Sequence, residues 1–412
     1  MTRRVIQLIV ICSMVLAAVS VQAAGFGIYE YSARANALGN SVMAGKADPS
    51  SIAVNPAQLT QLEGTQIAIG ATGIYPQATV EINSPEPDAG SYDGESSLWT
   101  MPHLYVTHAL NEQISFGVGV YSRFGLGTEF ESSWPGASDV YKVGIKTVSI
   151  NPVVGYNVTK NFSVAIGPEI MWFDFDLKKK KPSGVPTVYL DTEMGGDSWG
   201  AGFSLGARYQ WNDWLSFGAS YRSEVTQKVE GDIKATLAGA TMLDSSASGK
   251  ITLPQQVGFG INVKPMDNLS VEVGATWIGW SSYKELKVDY NSPTSPYLKH
   301  SNYNDTWRFN IGAEYNLTEN WDLRASYVYD ESPLNSDSLS YMVPANDRQI
   351  VGVGVGWHNA NWSVDASYNY LFISDRSGHV EVFKGDGTPY TQNCEFKDGD
   401  AHLVGITVGY KF

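Results

Sequence analysis

The side chains that most often do chemistry are few in this sequence and poorly spaced for it. His103, His108, His300, His358, His379 and His402 show neither a metal-ligand spacing nor the serine and acid partners of a hydrolase. Two cysteines, Cys12 and Cys394, are too few for a cysteine metal site. No enzyme, metal or cofactor is expected. What remains is binding chemistry, in the form of cations able to hold an anion. Lys178, Lys179, Lys180 and Lys181 make one basic run, and Lys299 with His300 makes a second. Taken alone, such a run is as readily the solvated base of a loop as a ligand site.

The elements that would position these cations are strands. Val404, Ile406, Val408, Tyr410 and Phe412 alternate with Gly405, Thr407, Gly409 and Lys411. A greasy face opposite a small or polar one, ending on an aromatic residue, is how an outer-membrane barrel closes its wall. The same alternation puts Ala201, Phe203, Leu205, Ala207, Tyr209 and Trp211 on one side and Gly202, Ser204, Gly206, Arg208 and Gln210 on the other. Only an element of period two explains that pattern.

Period-two segments are expected at about 65–76, 97–109, 114–126, 143–156, 162–178, 198–210, 214–229, 250–263, 269–284, 303–315, 321–330, 347–357, 362–374 and 401–412. Their connections alternate between short turns and stretches rich in Ser, Asp, Gly and Pro. The short ones read as periplasmic turns and the long ones, near 77–96, 127–142, 179–197, 230–249, 285–302, 331–346 and 375–400, as extracellular loops. The expected fold is therefore an all-β membrane protein, a 14-stranded antiparallel transmembrane β-barrel with both mature termini on the periplasmic side.

At the other end, Arg3 and Arg4 precede an apolar stretch to Val21, and Val21-Gln22-Ala23 offers a cleavage site. Residues 1–23 read as a signal peptide, which removes Cys12. The remaining chain carries 26 basic and 42 acidic residues, a net charge of −16 that would repel nucleic acid. A mean hydropathy of −0.17 with 41 Gly, 12 Trp and 23 Tyr suits alternating strands with aromatic girdles. Residues 24–64 do not alternate. They hold helix-compatible stretches near Ser32–Met43 and an Asn55-Pro56-Ala57 turn, and are too apolar for a solvated tail. A partly helical plug, or hatch, inside the barrel of residues 65–412 is expected.

Strand parity also reads the lumen. With Val164, Ile166, Ile170 and Trp172 toward lipid, Met171, Phe173, Phe175 and Leu177 point inward. Continuing the parity brings Lys179 inward at the mouth. A porin's lumen would be polar there.

Ala24-Gly25-Phe26, Asp48, Asn55-Pro56-Ala57, Phe124-Gly125-Leu126-Gly127-Thr128-Glu129-Phe130, Tyr221-Arg222-Ser223-Glu224-Val225, Trp280-Ser281-Ser282-Tyr283 and Asp330-Glu331-Ser332-Pro333 follow one another along the mature chain. In these motifs, taken in register, the chain resembles the outer-membrane long-chain fatty acid transporters, a family that includes aromatic-hydrocarbon channels. The resemblance implies capture of a hydrophobic molecule, most simply a long-chain fatty acid, by the outer loops. An apolar pocket would then bind it, and it would leave sideways through a kink in the third strand, here at Phe124, Gly125, Leu126 and Gly127. The resemblance also implies that Lys179 and Lys299 hold the head group, with lysine standing where the family has arginine and so losing bidentate geometry. Phe26 would insert into the same pocket. Arg324, Asp330 and Arg348, on lumen parity, are expected to anchor the hatch. Expected partners are the hydrophobic ligand, outer-membrane lipid and lipopolysaccharide, and the barrel-assembly machinery, with the protein a monomer. The alternatives are an uncharged-hydrocarbon channel, a diffusion porin or an outer-membrane hydrolase.

Overall fold

In the computed structural model the described residues are 25–84, 88–292, 295–334, 339–343 and 346–412. The expected signal peptide and its cleavage point lie outside them.

Fourteen strands form one closed antiparallel wall. The first is β1 (Thr65–Ser84), followed by β2 (Trp99–Ala109) and by β3, which runs as two segments, Ile114–Tyr121 and Gly125–Glu129. Next come β4 (Lys142–Asn157), β5 (Phe162–Pro182) and β6 (Tyr189–Asn212). Three interrupted strands follow: β7 (Leu215–Arg222, Val225–Leu237), β8 (Ala240–Leu253, Gln256–Met266) and β9 (Leu269–Ile278, Glu285–Tyr290). After β10 (Tyr297–His300, Thr306–Asn316) stand β11 (Trp321–Asp330) and β12 (Arg348–His358). The wall ends with β13 (Trp362–Ile373, Arg376–Phe383) and β14 (Pro389–Lys411). Closure joins β1 to β14 from Gln66 opposite Lys411 to Ser84 opposite Asn393, and Phe412 N–H donates to Thr65 O at 3.0 Å.

The alternation read from the sequence is the alternation of the wall. On β5 and β6, Ile166, Ile170, Phe203, Leu205, Tyr209 and Trp211 are exposed on the outside, where lipid lies. Met171, Phe173 and Leu177 are fully buried within. The greasy outer band runs to Trp172 on β5 and begins at its partner Trp199 on β6; beyond it Asp174, Asp176, Lys178 and Lys180 take the outward parity, so the remainder of β5 toward Pro182 extends past that band.

That projection corrects one expectation. The connections taken as long loops are mostly strand: 230–249 is a hairpin turning at Ala238-Gly239, and 375–400 is paired from Arg376 opposite Phe396 to Phe383 opposite Pro389. Outside the membrane both faces of a hairpin meet water or other loops, so the lipid-facing pattern that marks a strand in the wall disappears. The short hairpin partner Gly90–Asp93 on β1 was hidden for the same reason.

Residues 25–64 fill the lumen. Their helix is shorter than expected, Ala33–Ala37, capped by the Ser32 hydroxyl accepting from Ala35 N–H at 3.1 Å. Two 3-10 turns follow, Pro49–Ala53 and Pro56–Gln61, each opened by a polar cap and a proline. The Asn55 cap accepts from Ala57 N–H, and its amide donates to Met43 O at 2.8 Å and to Ala207 O of β6 at 3.0 Å. Wall and plug approach so closely there that a Cβ at Gly206 would lie 2.4 Å from Asn55 Oδ1.

Charge completes the attachment. Arg34 donates twice to Glu314 of β10, at 2.8 and 3.2 Å, and Arg324 of β11 donates to the same carboxylate at 2.7 Å. Arg324 also reaches Asp322 and Asp365, all on the wall. Glu272 of β9 receives the backbone N–H groups of Met43, Ala44 and Gly45. Removing one member of a buried ion set costs about 3–5 kcal/mol because the others remain uncompensated. Glu314→Ala should therefore loosen the hatch, and single-channel recording should show ion-conducting openings absent from the wild type.

Candidate functional site

Two features could handle a ligand, a breach in the wall and a lysine pair above it. The breach comes from β3. Its first segment pairs with β2 from Leu104 opposite Val120 to Ala109 opposite Ser115, whereas its second pairs with β4 alone among the described residues. Trp99–His103 of β2 pair only with β1. Among the described residues no ladder thus joins the upper part of β2 to Gly125–Glu129, and the gap is bridged at its outer end by Glu95 N–H donating to Glu129 O at 2.7 Å. The interruption itself falls at Ser122–Phe124, just before the glycines expected to mark it, and Gly125, Leu126 and Gly127 belong to the resumed strand.

An orphaned backbone in this setting would be costly, and the amino terminus relieves it. Ile28 N–H donates to Arg123 O at 2.8 Å, and Gly125 N–H donates to Phe26 O at 2.9 Å. Gly27 lies opposite Phe124 in an antiparallel bridge. Arg348 of β12 grips the same segment, its guanidinium donating to Gly25 O at 2.6 Å and Gly27 O at 3.5 Å. Asp330 is buried directly across the ladder from Arg348. Beneath the break, Glu169 accepts from Arg123 at 2.9 Å and lies 3.4 Å from Arg222, and all three are buried.

Beside the break lies a cavity of about 640 Å³. Its lining joins inner residues, Phe26, Phe124 and Leu126, to outer ones, Leu98, Val148 and Trp172, so it passes through the wall. At Gly127 a Cβ would fall 2.1 Å from the indole of Trp99, and at Gly125 it would fall 2.2 Å from Ile28. The glycines leave room for those side chains in the gap. On the lumen side Phe26 meets Trp280 edge-on with centroids 4.8 Å apart, Tyr283 at 5.5 Å and Phe124 at 6.2 Å.

The lysine pair lies on the outer extensions. Lys179 is 8% exposed, with Nζ 4.8 Å from the centroid of the Tyr297 ring. It forms no hydrogen bond or ion pair among the described residues. Burial pushes its ammonium down to about 8, against the opposing pull of Asp139. Lys299 is committed, donating to Asp139 Oδ1 and, at 2.6 Å, to Ser340 Oγ. Lys178 and Lys180 pair with Glu193 and Asp191 on β6, and Lys181, on the parity of Lys179, meets Tyr290 at 3.4 Å, so Lys179 is the buried member of the run.

Below the pair, Phe173, Phe175, Met194, Leu286 and Val288 border a cavity of about 40 Å³. That is space for about two or three waters, so an acyl chain enters only if these side chains move. Met171 and Leu177 are packed without exposure. Phe26 and Phe173 share one apolar cluster, yet Phe26 lines the breach while Phe173 and Phe175 line the cavity under the lysines. Sequence reasoning missed Arg123, Glu169, Trp99 and Asp139. Only Arg123 had a signal, since it adjoins the Phe124 motif.

Barrel, plug and side breach together define an outer-membrane barrel whose lumen is plugged and whose wall is interrupted at the third strand. The chain matches over residues 14–412 the model of the outer membrane protein transport protein family (OMPP1/FadL/TodX), and it belongs to that family. It is 24% identical to the long-chain fatty acid transport protein of Escherichia coli K12 over 448 residues, 97% of each chain. It is 25% identical to outer membrane protein P1 of Haemophilus influenzae over 97% of this chain and 98% of that one. Among solved structures, a FadL homologue of Pseudomonas aeruginosa superposes with TM-score 0.86 at 18% identity, covering 94% of this chain and 100% of that one. The toluene transporter TodX of Pseudomonas putida gives 0.72 at 16%, covering 93% and 98%.

The state of Lys179 sets a pH dependence. Its ammonium form dominates below pH 8 and is lost above it, while a bound carboxylate favours the charged form. Affinity for an alkyl carboxylate should fall as pH rises through 8, approaching about tenfold per pH unit. Titration calorimetry should show a flat profile for the alcohol of the same chain length.

Proposed function

We propose that the protein imports long-chain fatty acids across the outer membrane and releases them sideways into the bilayer. The through-wall cavity at the broken third strand carries this reading. A fatty acid gains about 0.8 kcal/mol for each CH₂ withheld from water, so an exit into lipid is downhill compared with one into the periplasm. The hatch favours the same direction, because the lumen below the breach is filled by residues 33–61 hydrogen-bonded to the wall.

In this reading the outer hairpins collect the ligand and Lys179 takes its carboxylate, supplying a charge-assisted bond in a largely dry setting. The chain displaces Phe173, Phe175 and their neighbours from the small cavity. It then passes the Phe26, Phe124, Trp280 and Tyr283 cluster, whose rings hold the amino terminus against the break. Displacing Phe26 removes Gly25–Ile28 from the gap, and Trp99 and Leu126 line the exit. Arg348 and the Arg34–Glu314–Arg324 set keep the rest of the hatch seated. An uncharged-hydrocarbon channel is the second reading, favoured by the edge-on aromatic cluster, which suits a flat ring as well as an acyl chain.

Uptake of labelled oleate and toluene, in a strain lacking its own transporter, separates these steps. Lys179→Ala should lower oleate uptake several-fold and leave toluene unchanged; no effect on oleate removes the head-group role. Leu126→Glu puts a carboxylate in the exit and should lower both, with oleate binding to the purified protein retained. Unchanged uptake of both would exclude the side exit.

A further inference from the structure

Lys299 already holds a carboxylate, and that carboxylate belongs to the protein. Asp139, with its side chain 4% exposed, accepts Lys299 Nζ on Oδ1. Its Oδ2 accepts Ser340 Oγ at 2.8 Å and Tyr341 N–H at 2.9 Å. Burial alone would raise this carboxyl, but Lys299 and Lys179 together hold it below its ordinary value. Two ammonium groups against one carboxylate leave a single positive charge, enough for one monoanion.

The position of Asp139 in the chain gives the contact a consequence. It follows the short turn Pro135–Ser138, in the connection that continues directly from the resumed segment of β3. That connection is compact. Phe130 stacks on Trp134 with centroids 4.0 Å apart, Trp134 Nε1–H donates to Val140 O at 2.8 Å, and Trp134 meets Tyr341 edge-on at 4.7 Å. Thr128, within the resumed segment, donates to Met342 O at 3.2 Å. The piece of wall bordering the breach and the residue occupying the lysine pair are therefore ten residues apart on one tightly folded stretch.

We infer that Asp139 is an internal stand-in for the ligand carboxylate: it occupies Lys299 in the empty transporter, and an incoming fatty acid competes with it, freeing the segment that borders the exit. The inference rests on the assignment of Lys179 to the head group. It makes Asp139 a positioning residue that sets selectivity for acids, because an alcohol or hydrocarbon brings no charge with which to compete.

The test uses full-length protein in nanodiscs, with oleate and oleyl alcohol as probes. Asp139→Asn keeps the shape and removes the competing charge. It should tighten oleate binding roughly tenfold, the size expected for one like charge removed from a partly dry site, and change oleyl alcohol binding less than about twofold. Asp139→Glu should restore the wild-type ratio between the two probes. Heat-modifiable gel mobility identifies folded barrels, and Ser340→Ala, which alters the same loop without altering charge, controls for loosening. If Lys179→Ala weakens oleate binding while Asp139→Asn leaves it unchanged or weaker, the head-group site stands and the stand-in is overturned. If Lys179→Ala has no effect, both fall. Equal gains for oleate and oleyl alcohol would also overturn the inference, since they would report a loosened loop.

Discussion

A barrel wall cannot leave its peptide groups unpaired without cost, and this barrel nevertheless interrupts its third strand at Ser122–Phe124. Everything around the third strand follows from that constraint. The amino-terminal residues Phe26–Ile28 provide backbone partners for the break, so the plug is part of the wall at one place. Arg348 holds the carbonyls of Gly25 and Gly27, and the rings of Trp280 and Tyr283 hold Phe26. The gap cannot open without moving the amino terminus, and the amino terminus cannot move without disturbing the aromatic cluster.

Buried charge is used in two different ways. Glu169 between Arg123 and Arg222, and Glu314 between Arg34 and Arg324, are buried ion sets that fix geometry. They join hatch to wall or brace the break, and removing one member leaves the others uncompensated. Lys179 is the contrast. It is nearly as buried, but its nearest partner is the face of Tyr297. Under the proposed function that dry and lightly compensated cation is the group that takes the ligand carboxylate.

Much of the fold was legible because lipid imposes a strict period of two. Phe203, Leu205, Tyr209 and Trp211 revealed both the strand and its outer face, and the same parity placed Met171, Phe173 and Leu177 inside. Legibility ended at the membrane surface. The 230–249 hairpin reads as loop because Ser, Asp and Gly dominate it, although Ile233 and Ala235 are buried on its inner face. The helix near Ala33–Ala37 is short because Gly39 and Asn40 turn to positive φ just beyond it, with Asn40 N–H donating to Ala35 O at 2.8 Å. Of the site, Lys179 could be placed by parity. Asp139 could not, since an aspartate in a turn has no period and its meeting with Lys299 spans 160 residues.

Under the proposed function cargo leaves through the wall and does not traverse the plug. A diazirine fatty acid, photolysed during uptake through the protein in membranes and mapped by peptide mass, tests it most directly. Adducts are expected at Trp99, Leu126, Ile145 and Trp172 around the breach, together with adducts to neighbouring lipid. A second cavity of about 250 Å³, bordered by Lys46, Gln61, Arg208 and Lys264 at the plug's far side, offers the alternative way out. Adducts concentrated there, with none at the breach, would contradict it.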